Sequence, residues 1–387
     1  CTVKLHVVAT GWPGKRAAAV ALQVSGAEPL YLLVTADVGI ERTFTVNTTE
    51  YHEEPEAALG DGRCDYDLST DGDQCSLTAA LTEVGTWDVG VFTIVLGANQ
   101  TYYFPAYQGT SWVRQYETGA QVTVQGNGST ISGGVDPASC STSTSEWASW
   151  EFRSGGGLTL QDVTFEKFCF GTAPVRVALE GGQLTLDNVT FRDNVNLDTG
   201  YYATSGALSI WSSGSSTVTI QQSHFANNQG EYGGGLHLSG LGTVTVEETT
   251  FEGNAARGAG GALYLVVGGN ATIQDTTFTD NTAEFEGGGL YVRAGYWDDY
   301  WNFYPGNVEI VRSRFVQNAT GPTGEGGGIW ASAPLDEEGG PAPSVVVRES
   351  AVLDNQAGSE GGGGIYVGGP CDAGPLKLVN VTIAGNT

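Results

Sequence analysis

The sequence is poor in basic residues, with 16 lysines and arginines against 43 aspartates and glutamates, which gives 387 residues a net charge of −27. A chain without a basic surface cannot neutralise phosphate groups, so nucleic-acid binding and docking onto anionic lipid are not expected. No apolar run approaches the 18 or more residues of a transmembrane helix, so no membrane span is predicted. Prolines are few and the 58 glycines follow no collagen period, so the composition favours a large folded core.

Methionine is absent even at position 1, which predicts a processed or trimmed product. The six cysteines include no Cys-x-x-Cys pair, so we expect no zinc site and instead a disulfide-tolerant compartment, extracellular or at the cell surface. The predicted disulfides are Cys64–Cys75 and Cys140–Cys169. Cys1 and Cys371 are left to join within or between chains. Alternatively, Cys1 is the lipid-modified first residue of a lipoprotein.

The second half of the sequence repeats a motif in which an aromatic or aliphatic residue precedes an asparagine by three positions. Gly-(Gly/Ala)-(Leu/Ile) follows the first six of these asparagines, and segments of alternating β-branched residues complete each unit. Three short strands per unit, with glycine or asparagine at the corners, are typical of one coil of a β-helix. The sequence therefore predicts an all-β chain that forms a right-handed parallel β-helix (a solenoid) with a short capping helix.

Stacked coils place equivalent asparagines above one another, so we expect their amides to hydrogen-bond in a ladder along the axis. The ladder asparagines are Asn194, Asn228, Asn254, Asn281, Asn318, Asn355 and Asn386. A ligand or catalytic role is the alternative, but a repeat corner requires such residues for structural reasons alone.

The two motifs together resemble the repeats of the polymorphic outer-membrane protein family of surface adhesins, over about residues 155–387. Upstream, residues 44–49, Cys64 and the segment Cys75-Ser-Leu-Thr-Ala-Ala resemble the CSLREA domain of secreted bacterial β-helix proteins. The chain departs from that domain at Thr78 and Ala79, where arginine and glutamate are usual. These resemblances imply a secreted or surface protein.

Three segments are expected along the chain. Residues 1–43 contain three predicted strands and form either an extended arm or a small β-module. Residues 44–85 form a CSLREA-like cap, in which Ser76 and Gly85 bracket a helix over 77–84 that covers the first coil. Residues 86–387 form the β-helix. The insertions that interrupt its period are 195–205, 293–306 and 331–343.

The densest group of carboxylates lies in the Cys64–Cys75 region and predicts a candidate calcium site, since calcium prefers hard oxygen ligands. Its members are Asp61, Asp65, Asp67, Asp71 and Asp73. The alternative is a solvated acidic loop held by the disulfide. No EF-hand register fits, and no other cofactor is predicted.

The middle insertion is rich in aromatic residues and predicts an interaction surface for a glycan or a surface protein. Its rings are Tyr296, Trp297, Tyr300, Trp301, Phe303 and Tyr304. The alternative is a loop that folds back onto its own coil. The basic residues are scattered and the four histidines show no motif, so no catalytic residue is predicted.

The function expected from these features is structural or adhesive, without catalysis. Because the last coil is expected to be uncovered, the strands of residues 2–35 are expected to add to it head-to-tail and build a filament. The alternative is a β-helix that binds or degrades polysaccharide, which requires carboxylates that converge in a groove.

Overall fold

The computed structural model describes the chain from Gly14 to Thr387 apart from residues 23–29, 39, 53–54, 56–58, 88, 105–112, 141–148, 171–172, 174, 198–204, 299, 301, 335–341, 360 and 369–375. Its strands stack in parallel, one coil upon the next, from Glu41–Thr45 to Leu376–Val379. The prediction of an all-β parallel solenoid is therefore confirmed.

The coils have three faces. Face 1 contains Glu41–Thr45, Val91–Val95, Thr101–Tyr103, Gln121–Ser132, Gly157–Glu166, Gln183–Asp187, Thr190–Arg192, Thr217–Gln221, His224–Ala226, Thr243–Glu247, Thr250–Glu252, Asn270–Gln274, Thr277–Thr279, Asn307–Val311, Arg314–Val316, Ser344–Arg348, Ala351–Leu353, Leu376–Val379 and Thr382–Ala384. Face 2 contains Cys169–Phe170, Val195–Asn196, Gln229–Gly230, Ala255–Ala256, Thr282–Ala283 and Ala319–Thr320. Face 3 contains Val113–Thr118, Ser149–Ser154, Val175–Glu180, Leu208–Ser213, Leu236–Gly240, Leu263–Val267, Leu290–Trp297, Ile329–Ser332 and Ile365–Val367.

The core is built from side chains that point inward at alternate positions of each strand. In Thr217–Gln221, for example, Val218 and Ile220 are buried and their neighbours are partly exposed. The phenylalanines of the repeat motif stack in nearly parallel planes, with ring centroids 4.5–5.1 Å apart, and are Phe165, Phe191, Phe225, Phe251, Phe278 and Phe315. This aromatic column stabilises each coil against the next.

The repeat asparagines form a continuous amide ladder beside this column. Each Nδ2 from Asn194 to Asn355 donates to Oδ1 of the asparagine one coil further, at 2.8–3.0 Å. It also donates to the main-chain oxygen of the motif residue one coil back, at 2.8–3.1 Å. In the coil before Asn194, Phe168 stands at the position that asparagine occupies in the later coils. Its main-chain N–H donates to Oδ1 of Asn194.

The ladder asparagines are not themselves the residues with left-handed backbone. The residue before each ladder asparagine has that conformation, as in Asp193, Asn227 and Asp280. A second set of residues with left-handed backbone lies between the two strands that each coil contributes to face 1. This set includes Asn188, Gln222, Glu248, Asp275 and Arg312, with φ of 47–54°. Because left-handed backbone costs about 1–2 kcal/mol per residue, stacking and the ladder have to offset it.

A helix from Leu77 to Val84 packs against the first coils, within the bounds predicted from sequence. The Ser76 hydroxyl accepts the N–H of Ala79 and caps its start. At its end lies the fully buried Glu83, whose carboxylate accepts the N–H groups of Gly60 and Gly62 at 2.5 and 2.6 Å and the indole N–H of Trp87 at 3.0 Å. Glu83 thus ties the preceding loop to the cap.

Both predicted disulfides are present, with Cα–Cα distances of 5.0 Å for Cys64–Cys75 and 5.5 Å for Cys140–Cys169. The first closes a short loop, which stabilises the fold by about 3 kcal/mol in the loop-entropy model. Cys1 and Cys371 lie outside the described residues.

The N-terminal segment contributes a two-stranded antiparallel sheet of Gly14–Leu22 and Leu30–Val38, and the predicted strand near residues 2–8 lies outside the described residues. The first residues of each predicted insertion belong to a regular strand of the β-helix. These strands are Val195–Asn196 of face 2 and Leu290–Trp297 and Ile329–Ser332 of face 3. Most of the first and third insertions is not described.

Candidate functional site

The corner between face 2 and face 3 carries the glycine motif and forms the floor of a groove. Directly before this motif, Gly260 and Gly287 have φ of 68° and 63°, a conformation that strongly favours glycine. The segments before the glycines hydrogen-bond from coil to coil, for example from Gly258 N to Glu231 O at 2.8 Å and from Glu325 N to Phe285 O at 2.7 Å. The floor is therefore held by main-chain bonds.

The groove is a cavity of about 500 Å³ that runs along the helix axis. Six side chains line it above Gly258 and Ala259, and they are Glu231, Tyr232, Phe285, Glu286, Thr323 and Glu325. The rings of Tyr232 and Phe285 are 39% and 52% exposed, so both present apolar surface to solvent. We call this cavity the glutamate groove.

Two of its carboxylates lie side by side on adjacent coils. Glu286 and Glu325 are partners in a parallel β-bridge, and adjacent parallel strands are about 4.8 Å apart. Glu325 accepts the indole N–H of Trp330 at 3.1 Å. Burial, and to a lesser degree the Glu325 carboxylate, raise the pKa of Glu286 above its ordinary value. The groove therefore holds a carboxylate whose charge is disfavoured.

Glu231 at the other end of the groove is paired with Arg257, whose Nε lies 2.9 Å from its carboxylate. Arg257 also donates to the main-chain oxygen of Asn196 at 3.1 Å, which fixes its guanidinium on the scaffold. The charge of this cation is thus already balanced by Glu231.

An outer row of aromatic rings on face 3 adjoins the groove. Its members occupy one register position on successive coils and are His237, Tyr264, Tyr291, Trp330 and Tyr366. The first four stack with centroids 4.4–5.2 Å apart, and the Tyr232 ring lies at 5.4 Å from Tyr264. Burial lowers the pKa of His237 to about 4, so this imidazole is neutral at physiological pH. The row is a stacked aromatic wall beside the groove.

The aromatic insertion forms a hairpin in which Gly295–Trp297 pairs with Phe303–Pro305. The Cβ atoms of Tyr296 and Tyr304 lie beside Gly268, and the Trp297 and Phe303 ring centroids are 4.9 Å apart. Tyr296, Phe303 and Tyr304 are partly buried, whereas Trp297 is 38% exposed. Tyr300 at the tip is 86% exposed, and Trp301 lies outside the described residues. Trp297 and Tyr300 thus present aromatic surface to solvent, and the role of this insertion as an interaction surface stays a prediction.

The predicted calcium ligands do not converge. Asp73 pairs with Arg63, and Asp61 accepts the N–H of Arg63 at 2.8 Å. Asp67 accepts the hydroxyl groups of Ser69 and Thr70, both at 2.6 Å, and these bonds lower its pKa.

Asp65 is buried and accepts main-chain N–H groups of the same loop, whereas Asp71 is exposed. In the part of the chain that the structure describes, no group of three or more histidine, cysteine or acidic residues is arranged to hold a metal ion. The geometry therefore favours the disulfide-held acidic loop over the calcium site.

The groove was not predicted from the sequence because Glu231, Glu286 and Glu325 are far apart along the chain. A signal was nevertheless present. When the repeats are aligned on their glycines, one column contains Tyr232, Ala259, Glu286 and Glu325 just before the first glycine of each corner. Such a column places its side chains above one another on the solenoid surface.

Residues 151–387 match the family model described as a right handed beta helix region. This match covers more than half of the chain and agrees with the parallel pairing of the three faces. A comparison with curated proteins gave no match. No helix among the described residues is long and apolar enough to cross a membrane.

Proposed function

The chain belongs to the right-handed β-helix family, and on that premise we propose that it binds glycans in the glutamate groove as a non-enzymatic adhesive protein. The observation that supports this function is the presence of two exposed rings and three carboxylates in one cavity. Aromatic rings stack on the apolar faces of sugars, and carboxylates accept hydrogen bonds from sugar hydroxyl groups. A rigid floor lowers the entropic cost of such binding.

The spacing of the rings suits an extended chain. Tyr232 and Phe285 belong to coils two steps apart, so their main chains are separated by about 10 Å along the axis. Two or more linked sugar rings lying along the axis would contact both side chains. The glutamates then lie beside the same saccharide units.

Location at the cell surface or outside the cell is part of the proposal. The two disulfides suit an oxidising compartment. The resemblance to polymorphic outer-membrane protein repeats and to the CSLREA domain supports the same location, since those repeats occur in surface adhesins. An adhesive protein with a shallow, rigid glycan site fits this setting.

We predict that replacing both Tyr232 and Phe285 by alanine weakens glycan binding about tenfold or more. Each ring contributes on the order of 1 kcal/mol of stacking, and the two contributions act on one ligand. The measurement is calorimetric titration of the intact chain with soluble oligosaccharides chosen from an array of neutral, cationic and anionic glycans.

The matched control is Tyr300→Ala, which removes an exposed ring from the hairpin instead of the groove. Its affinity should equal that of the unaltered chain. Loss of binding in Tyr300→Ala with full binding in the groove variant would transfer the site to the hairpin. Absence of binding to every glycan on the array would overturn the proposed function.

Cleavage of the bound glycan is the second candidate function, because Glu286 and Glu325 lie in the same groove and the pKa of Glu286 is raised. Glycoside hydrolases place their two carboxylates on either side of the scissile bond. Glu286 and Glu325 instead extend from one column of the same wall, side by side along the axis. The geometry therefore supports binding better than hydrolysis.

We accordingly predict that the intact chain releases no reducing ends from an oligosaccharide that it binds, over a day at pH 5 and pH 7. Chromatography of the sugar after incubation is the measurement. Release that disappears in both Glu286→Gln and Glu325→Gln would instead establish a hydrolase.

Association between copies of the chain stays a prediction. The two described N-terminal strands pair with each other, and in the described part of the chain they have no further partner strand. A two-stranded sheet is marginally stable alone and has two free edges, which favours addition of a strand from another chain.

A further inference from the structure

The glutamate groove is strongly anionic where a ligand would lie. Glu231, Glu286 and Glu325 line it, and the nearby Arg257 is paired with Glu231. Within the described ranges, Glu286 and Glu325 have no ion pair with a basic side chain. The whole chain carries a net charge of −27, so no long-range positive field compensates these carboxylates.

The position of the pair makes a bound cation favourable. Two carboxylates on adjacent coils repel each other, and partial burial strengthens that repulsion because water screens it less. A cation between them would favour the ionised form of both. It would supply a paired opposite charge, which Arg293 on face 3 does not, although the charges of Glu286 and Arg293 both act on the phenol group of Tyr291.

The exposed rings indicate what kind of cation fits. Inorganic ions do not need apolar contacts, and the described residues form no metal-binding group. An ammonium group carried on a sugar can contact a carboxylate while the sugar face or the cation itself lies against Tyr232 or Phe285. Carboxylates and aromatic rings in one cavity therefore match an organic ammonium ligand.

We propose, on the basis of the glycan-binding function above, that the glutamate groove selects glycans with free, protonated amino groups over their N-acetylated counterparts. The carboxylates of Glu286 and Glu325 bind the ammonium groups, and Tyr232 and Phe285 bind the sugar rings. N-acetylation removes the positive charge and adds bulk, so it removes the contact that the paired glutamates provide.

The test compares two probes of equal length and linkage, the β-1,4-linked hexamer of glucosamine and that of N-acetylglucosamine. Both are titrated into the intact chain at about pH 6, below the ordinary pKa of an amino group. We expect the amino hexamer to bind at least tenfold more tightly at low salt. Its affinity should fall steeply with added sodium chloride, since salt screens charge pairs near a surface.

The double variant Glu286→Gln and Glu325→Gln should weaken binding of the amino hexamer far more than binding of the N-acetylated hexamer, and so reduce the preference for the amino hexamer to about twofold or less. The control is Glu252→Gln with Glu349→Gln, which removes two exposed charges from face 1 and should preserve the preference. A control that lost the preference equally would assign it to net charge and overturn the proposal.

The failure of this proposal is distinguishable from failure of the proposed function. If both hexamers bind equally, or the N-acetylated one binds more tightly, glycan binding stands and the selectivity is wrong. If neither hexamer binds and no glycan of the wider array binds, the proposed function itself is overturned. Circular dichroism and thermal melting establish that the β-helix is intact in every variant.

Discussion

Replacing Asn281 by alanine is expected to lower the free energy of unfolding by about 4 kcal/mol or more. Its Nδ2 donates to Asn318 Oδ1 and to Phe251 O, and its Oδ1 accepts both the main-chain and side-chain N–H groups of Asn254. The site is fully buried, so water cannot replace these four bonds. Each buried group left without a partner costs about 1–3 kcal/mol. The measurement is the urea midpoint of the intact chain.

Asn270→Ala is the control for this variant, because Asn270 is exposed at the start of its strand and outside the ladder. Its effect should stay within about 0.5 kcal/mol. Asn281→Asp is a second test, since aspartate keeps the shape of asparagine but, when ionised, can donate neither of the two bonds. It should be as damaging as alanine near neutral pH. If the free energy of unfolding of Asn281→Ala were within 1 kcal/mol of that of the unaltered chain, the ladder hydrogen bonds would not stabilise the fold as expected.

The repeat motif predicted the fold because each motif residue is repeated at an equivalent position in space. Phe225, Phe251 and Phe278 are similar in sequence context because their rings occupy one column of the core. The left-handed positions were not predictable in the same way. Gln222, Glu248 and Arg312 share that conformation, yet their side chains have little chemistry in common. Asparagine and aspartate, which tolerate this conformation, occupy other such positions, for example Asn188 and Asp275, but stacking of the backbone imposes it on other residue types as well.

The candidate site escaped prediction for a related reason. Aromatic density along the sequence pointed to the hairpin around Tyr300, but neighbouring residues in a hairpin also pack against each other and against their own coil. The groove instead gathers residues such as Glu286 and Glu325 that are one coil apart. In a solenoid, neighbours across coils are found by comparing repeats, since spatial contact follows the repeat period.

Replacing Gly261 by alanine is the second change for which we expect a large effect, a loss of about 3 kcal/mol or more. A Cβ atom at this position would lie 2.0 Å from Gly288 O and 2.5 Å from Thr282 O, both main-chain atoms of the next coil. Neither atom can move without breaking the bonds that join the coils, including Gly261 N to Gly287 O at 2.9 Å. Overpacking against main chain costs more than contact with a flexible side chain.

Gly235→Ala tests whether the loss of stability is specific to the position of Gly261 or follows from replacing any glycine at the corner. A Cβ atom there would lie 3.1 Å from both Ala262 O and Phe225 Cβ, a tight contact that a small shift relieves. Alanine already occupies the equivalent position in two other coils, at Ala207 and Ala262. Thermal melting should therefore show Gly235→Ala within about 1 kcal/mol of the unaltered chain and Gly261→Ala far below it. Equal melting temperatures for the two variants would refute the close approach of backbone that the coil spacing requires at Gly261.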